Sequence, residues 1–231
     1  MDYNNLKLIG TSHIAKQSLD DVKNAFETFK PEIVAIELDK RRLIALVNKK
    51  KIRGPGLRDI RRIGIKGFIF SLIGAWVENK LGKFVGVAPG SEMKTAVKLA
   101  KNNKIPVALI DQDIEITLKR FSKELTWREK WNFFADIFKA AVLRKKEELG
   151  FDLKTVPSKQ VIKKLINKVR KRYPSIYKVL IIERNKVMAR NLAALMKAKP
   201  GKRILGIIGA GHEEEIIQLI KKNLKTSDIK S

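Results

Sequence analysis

The chain of 231 residues contains no cysteine, which excludes disulfides, a thiol nucleophile, thiolate zinc sites and iron–sulfur clusters. Histidine occurs only twice, and Asp plus Glu number 24 against 50 Lys plus Arg. Any strong metal ligands must therefore come from two histidines and a small set of acids. Long apolar runs are missing too, because the longest, at 68–77, is about half of the roughly 20 residues that a membrane span requires.

A secretory signal is also missing from the amino terminus. The opening sequence MDYNNLKLIG has no basic region and only a short apolar run, so we expect a cytoplasmic protein. With 44% hydrophobic and 32% charged residues, the composition is typical of a folded chain. The length fits one α/β domain, at 1–231.

Short runs rich in Ile and Val alternate with segments of helical period, which predicts an α/β fold with a mostly parallel sheet flanked by helices. The predicted strands are 6–9, 33–36, 106–110 and 203–208. The predicted helices around them are 18–29, 43–47, 91–101 and 213–224. The sheet is thus built from both ends of the chain.

Between these ends the sequence predicts a large helical insertion at about 114–196. It carries an aromatic and apolar stripe at three- and four-residue spacings, formed by Trp127, Trp131, Phe134, Phe138 and Val142. A regular stripe of this kind normally faces other helices, so we expect it to pack in a core.

The two histidines occupy matching motifs. His13 lies three residues after Gly10, and His212 lies three residues after Gly209, each directly after a predicted strand. Glycine permits the sharp turns that bring a side chain close to a ligand. Because the carboxyl ends of parallel strands share one edge of a sheet, we expect the two imidazoles to meet there.

Two carboxylates follow predicted strands in the same way. Glu37 follows the second strand and Asp111 the third, so both are expected at the edge that carries the histidines. The alternatives are ordinary structural uses: Glu37 as a strand-end ion-pair partner, and Asp111 or Glu92 as a helix cap.

Four stretches carry a resemblance to a known family: 10–42, 89–121, 183–192 and 206–216. They contain two G-x-x-H motifs, an E-L-D-x-x-R segment and an S-E-M helix start, in one order. On these residues the chain resembles the TraB/PrgY family, within the wider grouping with GumN and the Tiki metalloproteases. Relatives often continue into a hydrophobic carboxyl-terminal region, which this sequence lacks.

The resemblance implies a peptidase-like hydrolase that depends on a divalent metal ion, with zinc, manganese and cobalt undecided, and a peptide or protein substrate. The residues that it implies are His13, His212 and Glu37 for the metal, Glu37, Arg42, Glu92 and Asp111 for catalysis, and Gly10, Gly209, Glu183 and Arg184 as further family matches. Gln112 and Asn185 depart from the Arg and Asp that many relatives carry.

The roles within this set stay open at the level of sequence. A hydrolytic metal site needs about three protein ligands, an open position and a base. The histidines can supply two ligands, while Glu37, Glu92 or Asp111 completes the set or activates water. Arg42 can polarise a carbonyl or lie on a solvated basic helix face, and Glu183 with Arg184 can be a simple ion pair.

Positive charge is concentrated in two segments. Residues 39–66 contain eleven Lys or Arg and two Asp, and residues 154–172 contain eight Lys or Arg and no acid. These segments suit solvated helix faces or an anionic membrane surface, whereas nucleic acid is disfavoured because no known binding motif accompanies them. The alternative function is a non-catalytic peptide-binding or signal-regulating protein at such a surface; a homo-oligomer is left open.

Overall fold

The computed structural model describes residues 1–11, 16–47, 60–62, 64–65, 68, 90–132, 135–136 and 159–228. His13 and half of the basic segment at 39–66 lie outside these residues. Within them, no helix is both long enough and apolar enough to cross a bilayer.

Five strands and eight α-helices are bounded as follows in the described residues. The strands are β1 (Asp2–Tyr3), β2 (Leu6–Thr11), β3 (Ile33–Ile36), β4 (Val107–Leu109) and β5 (Ile204–Gly209). The helices are α1 (Lys16–Phe29), α2 (Lys40–Val47), α3 (Ser91–Asn102), α4 (Ile114–Glu124), α5 (Lys159–Arg172), α6 (Pro174–Tyr177), α7 (Arg184–Ala198) and α8 (Glu213–Asp228). A π-helical segment (Lys178–Glu183) joins α6 to α7.

The strands form one sheet in the order β1-β2-β5-β3-β4. The pairs β2–β5, β5–β3 and β3–β4 are parallel, and only the short β1 runs antiparallel to its neighbour. The predicted mostly parallel sheet is therefore confirmed. The last strand in the sequence lies at the centre, so it joins β2 to β3.

Helices cover both faces of this sheet, because alternate residues of the buried strands point to opposite sides. On one face α7 and α8 pack on Leu8 and Ile208. On the other face α1 and α3 pack on Val34 and Ile207. The core therefore forms two apolar layers with the sheet between them.

The predicted strand at 33–36 agrees with the structure, and the other strands and helices differ at their ends by one to four residues. Two elements have no counterpart in the prediction. The edge strand β1 is only two residues long, too short for a periodic pattern, and the π-helical segment looks like ordinary helix in the sequence.

The described part of the predicted insertion is helical, as expected. The prediction that the aromatic stripe packs in a core is wrong at its first two positions. Trp127 and Trp131 are 74% and 71% exposed. They lie one turn apart in a helical segment at 127–132, whose inward side is taken by Glu129. Phe134, Phe138 and Val142 lie outside the described residues.

Candidate active site

Glu37 is the buried carboxylate at the centre of the candidate site. It directly follows β3, and its backbone amide donates to the carbonyl of Ile207 at 3.0 Å. The amide of Gly209 donates to its Oε2 at 2.5 Å, and the guanidinium of Arg184 donates to its Oε1. The carboxylate therefore lies between the ends of β3 and β5.

Arg184, the first residue of α7, joins this carboxylate to a second one. Its Nε and Nη2 donate to the two oxygens of Asp111 at 3.1 and 2.7 Å. Burial lowers the pKa of Arg184, but the charges of Glu37 and Asp111 outweigh it, so the pKa is raised overall. Arg184 thus stays charged and holds the two carboxylates together.

Arg42 is the second arginine on Asp111. Its Nη2 donates to Oδ2 of Asp111, and its Nε donates to Oδ2 of Asp39 at 2.6 Å. Burial lowers the pKa of Arg42, while Asp111 and Asp39 raise it by more. Both arginines therefore remain cations beside acids.

The three carboxylates of Glu37, Asp39 and Asp111 face the two guanidinium groups of Arg42 and Arg184. These five charges leave one negative charge in surplus. A buried negative charge is costly unless a proton or cation neutralises it, so this cluster has a net affinity for positive charge.

His212 faces Glu37 from the turn between β5 and α8. Its imidazole is buried, and its Nε2 lies 3.5 Å from Oε1 of Glu37. The turn is held by two backbone bonds, from the amide of Ala210 to the carbonyl of Thr11 at 2.8 Å and from the amide of His212 to the carbonyl of Gly209 at 2.9 Å. The structure therefore places the imidazole of His212 beside the carboxylate of Glu37.

The orientation of His212 is set by a buried amide. Nδ2 of Asn185 donates to the carboxylate of Glu215 at 2.8 Å, which leaves Oδ1 of Asn185 as an acceptor 2.5 Å from Nδ1 of His212. An ionised carboxylate only accepts hydrogen bonds, so Nδ1 must carry the proton. In the neutral imidazole, the lone pair is then on Nε2 and faces Glu37.

The remaining predicted residues occupy different places. Gly10 lies in β2, and a Cβ there would come within 2.9 Å of Cα of Ala210, so glycine is needed for the strand ends to approach. Glu92 is buried in the first turn of α3. Glu183 accepts two hydrogen bonds from the guanidinium of Arg120, at 2.6 and 3.1 Å. It is therefore an ion-pair partner, as the sequence left open, but of Arg120 instead of Arg184.

Sequence reasoning missed Asp39, Asn185 and Glu215. Asp39 belongs to the E-L-D-x-x-R segment. Its carboxylate accepts hydrogen bonds from the backbone amides of Arg41 and Arg42, which fixes the start of α2 and places Arg42 beside it. Glu215 lies among the acids in the first turn of α8, where the usual role of an acid is to complement the helix dipole. Its bond to Asn185 depends on α7 packing against α8, which no local pattern reveals.

A cavity of about 470 Å³ lies beside the two glycine motifs. Gly10, Ala210 and Glu213 line one end, and Asp21 of α1 lines another part. Burial, together with the neighbouring Asp20, raises the pKa of Asp21. The size lies within the range that small ligands or a short peptide segment occupy.

A metal-ligand group of three or more His, Asp or Glu side chains is absent from the described residues. His13 is not among these residues, so the structure describes two of the three predicted ligands, Glu37 and His212.

Taken together, the fold and the site define a three-layer α/β protein. At the carboxyl edge of its sheet lies a cluster of carboxylates, two arginines and a histidine. Residues 2–224 match the TraB/PrgY/gumN family. The chain belongs to this family.

Individual relatives match along almost the whole chain. An uncharacterized protein of Methanocaldococcus jannaschii, MJ1365, is 35% identical over 226 residues, which cover 96% of this chain and 55% of that protein. TraB domain-containing proteins of Bos taurus and Homo sapiens are 24% and 23% identical, covering 97% of this chain and 64% of theirs. The chain thus spans between half and two thirds of the length of these relatives.

Proposed function

We propose that this protein is a metal-dependent hydrolase of peptide or protein substrates, with His212 and Glu37 as two ligands of its metal ion. The observation that carries the proposal is the gap of 3.5 Å between Nε2 of His212 and Oε1 of Glu37. A lone pair and a carboxylate oxygen repel each other across such a gap unless a proton or a metal ion lies between them.

The two side chains fit a metal ion in three respects. Ligand atoms at about 2.1 Å from a tetrahedral ion lie about 3.4 Å apart, close to the observed gap. Asn185 holds Nδ1 of His212, as outer partners of metal-binding histidines do. The surplus negative charge of the cluster favours a cation. His13 is the third ligand that the sequence suggests.

A bound divalent ion would polarise a substrate carbonyl and lower the pKa of a bound water molecule. Arg42, with 29% of its side chain exposed against 14% for Arg184, is the guanidinium better placed to hold a substrate carbonyl or carboxylate. Asp111 accepts bonds from both arginines, so we assign it a positioning role.

The substrate would enter through the cavity beside Gly10 and Ala210, because this cavity adjoins the turn that carries His212. Glu213 lies on its wall and also faces the terminal amine of Met1 at 3.4 Å. Glu92 remains a candidate base from the sequence alone.

A non-catalytic peptide-binding or signal-regulating protein is the second candidate. Arginine bonds to Glu37 and Asp111 favour it, since a carboxylate held by guanidinium groups is a weak base. The two functions differ in whether a bound peptide is cleaved.

The test uses the full chain, loaded in turn with zinc, manganese and cobalt, then desalted and analysed for metal and for cleavage of a peptide library. We expect stoichiometric metal and cleavage that a chelator abolishes. His212→Ala should lose both, whereas Glu32→Gln, at the opposite end of β3, should keep both. Peptide binding without cleavage by metal-loaded protein would favour the second candidate, and full cleavage by His212→Ala would overturn the proposal.

A further inference from the structure

The helical segment at 127–132 presents two tryptophans to solvent. Trp127 and Trp131 lie one turn apart and so share a side of the helix. Their exposed fractions, 74% and 71%, far exceed those of ordinary core aromatics. Nζ of Lys130 lies 3.6 Å from the ring centroid of Trp127, and Arg128 is exposed beside it.

The carboxyl end of α5 contacts this segment and adds more cations. Nδ2 of Asn132 donates to the carbonyl of Arg172 at 3.3 Å, and Arg172 and Tyr173 bind Asp136. The contact places the carboxyl end of α5, where Lys168 and Lys171 are exposed, next to the helical segment at 127–132.

The helix α5 has apolar residues on one face and basic residues on the rest of its surface. Leu165 and Val169 are exposed one turn apart, at 39% and 36%. Viewed along the helix axis, cations flank the apolar face: Lys164 and Lys168 lie on one side, and Arg170 and Lys163, which pairs with Glu214, lie on the other. A helix with an apolar stripe between cations is typical of segments that lie in a membrane interface.

Acidic side chains near this surface are already engaged. Glu129 is buried and accepts from the amide and hydroxyl of Thr126 and from the amide of Ser175. Asp136 is held by Arg172 and Tyr173. Among the described residues, this surface therefore presents aromatic, aliphatic and cationic groups, while Glu129 and Asp136 are held by hydrogen bonds and an ion pair.

We propose that Trp127 and Trp131, together with α5, form a docking surface for an anionic lipid bilayer. Tryptophan prefers the head-group region, and cations are attracted to anionic lipids. A second copy of the chain fits less well because each carries a formal charge of +26 and would repel the other. Nucleic acid offers phosphates to the cations and base faces to the tryptophans, but no aliphatic region for Leu165 and Val169.

The experiment measures binding of the full chain to vesicles of phosphatidylcholine with about 30% phosphatidylserine, by co-sedimentation, with pure phosphatidylcholine as reference. We expect binding only to the anionic vesicles and weakening as salt rises. In a Trp76→Phe background the emission of Trp127 and Trp131 should shift to the blue on binding. This proposal does not rest on the metal site, so His212→Ala should bind the vesicles equally well.

Two variants separate this surface from general attraction by charge. Trp127→Ala with Trp131→Ala should weaken binding about tenfold or more, since two interfacial anchors are lost while the charge is unchanged. Lys168→Glu with Lys171→Glu should weaken it more than Lys98→Glu with Lys101→Glu, an exposed pair on α3 with the same spacing and the same change of charge.

Three results would overturn the proposal. The first is no binding to the anionic vesicles at low salt. The second is equal loss in the two charge-reversal variants, which would leave only the overall charge. The third is that the double tryptophan variant binds vesicles normally but loses self-association or oligonucleotide binding, which would assign the surface to a second copy or to nucleic acid.

Discussion

Nε2 of His212 lies 3.5 Å from Oε1 of Glu37, and each group is held there by a different element. The imidazole is fixed through Asn185 of α7, and the carboxylate through the amide of Gly209 at the end of β5. Neither side chain can withdraw without breaking a buried hydrogen bond, so the gap between them is a fixed feature of the fold.

Glu37→Gln is the sharpest test of this gap. The amide keeps the shape of the side chain but removes its negative charge, so we expect the folded variant to lose most of its bound metal. Elemental analysis after loading measures it, with Glu32→Gln as the control because this acid pairs with Lys202 at the other end of β3. Retained metal with lost turnover would make Glu37 the base instead of a ligand.

Asn185→Ala tests the orientation of His212. Removing the amide frees Nδ1 and unpairs Glu215, and partners of this kind typically contribute about 10- to 100-fold to metal affinity or activity. Metal titration of the variant checks this. Asn191→Ala is the matched control because Asn191 lies on the same helix and donates to the carbonyl of Ile110. Equal losses in the two variants would contradict a specific role for Asn185.

Arg184→Met tests what holds the cluster together. It leaves Glu37 and Asp111 buried without their main cation, so we expect a loss of about 3–5 kcal/mol in the free energy of unfolding. Urea denaturation measures it. Arg190→Met on the exposed side of the same helix should change stability little. A loss below about 1 kcal/mol for Arg184→Met would show that the carboxylates find other partners.

Gly10→Ala tests the close approach of two strand ends. Its Cβ would meet Cα of Ala210 at 2.9 Å, and the backbone would have to shift, at about 1–3 kcal/mol. Gly201→Ala is the control, because nothing lies within 4 Å of the added atom. Thermal denaturation compares the two. A Gly10→Ala protein as stable as the control would mean that the turn after β5 can shift at little cost in free energy.

Asp39→Asn tests the dependence of stability on pH. Burial raises the pKa of Asp39, but bonds from Arg42 and the amide of Arg41 outweigh it and lower the pKa overall. The stabilisation that ionised Asp39 contributes is therefore fully present above the ordinary aspartate pKa of about 3.9. It is lost as pH falls through the lower pKa that Asp39 has in the folded protein. The difference in unfolding free energy between wild type and Asp39→Asn should therefore shrink in acid.

The sequence predicted the strand ends well, because buried parallel strands are marked by apolar runs and their carboxyl ends share an edge. Glu37, Asp111 and His212 were found in this way. The order of strands could not be predicted, since no local pattern indicates that β5 enters between β2 and β3. That insertion is what places Gly209 against Glu37.

Arg184 was found only through the family resemblance, and its partners were not predicted at all. Its position at the start of α7 follows a π-helical segment, whose wider turn differs from the 3.6-residue period on which helix prediction rests. At Trp127 and Trp131 the predicted helix was correct, but the prediction that they pack in a core was wrong. A helical period alone does not say whether a stripe faces a core or solvent.

The central place of β5 has a consequence for synthesis of the protein. Until residues 204–209 leave the ribosome, β2 and β3 have no strand between them, and the backbone amides and carbonyls that will pair with β5 stay open. The emerging chain must therefore keep these two open strand edges from pairing with other chains through most of its translation.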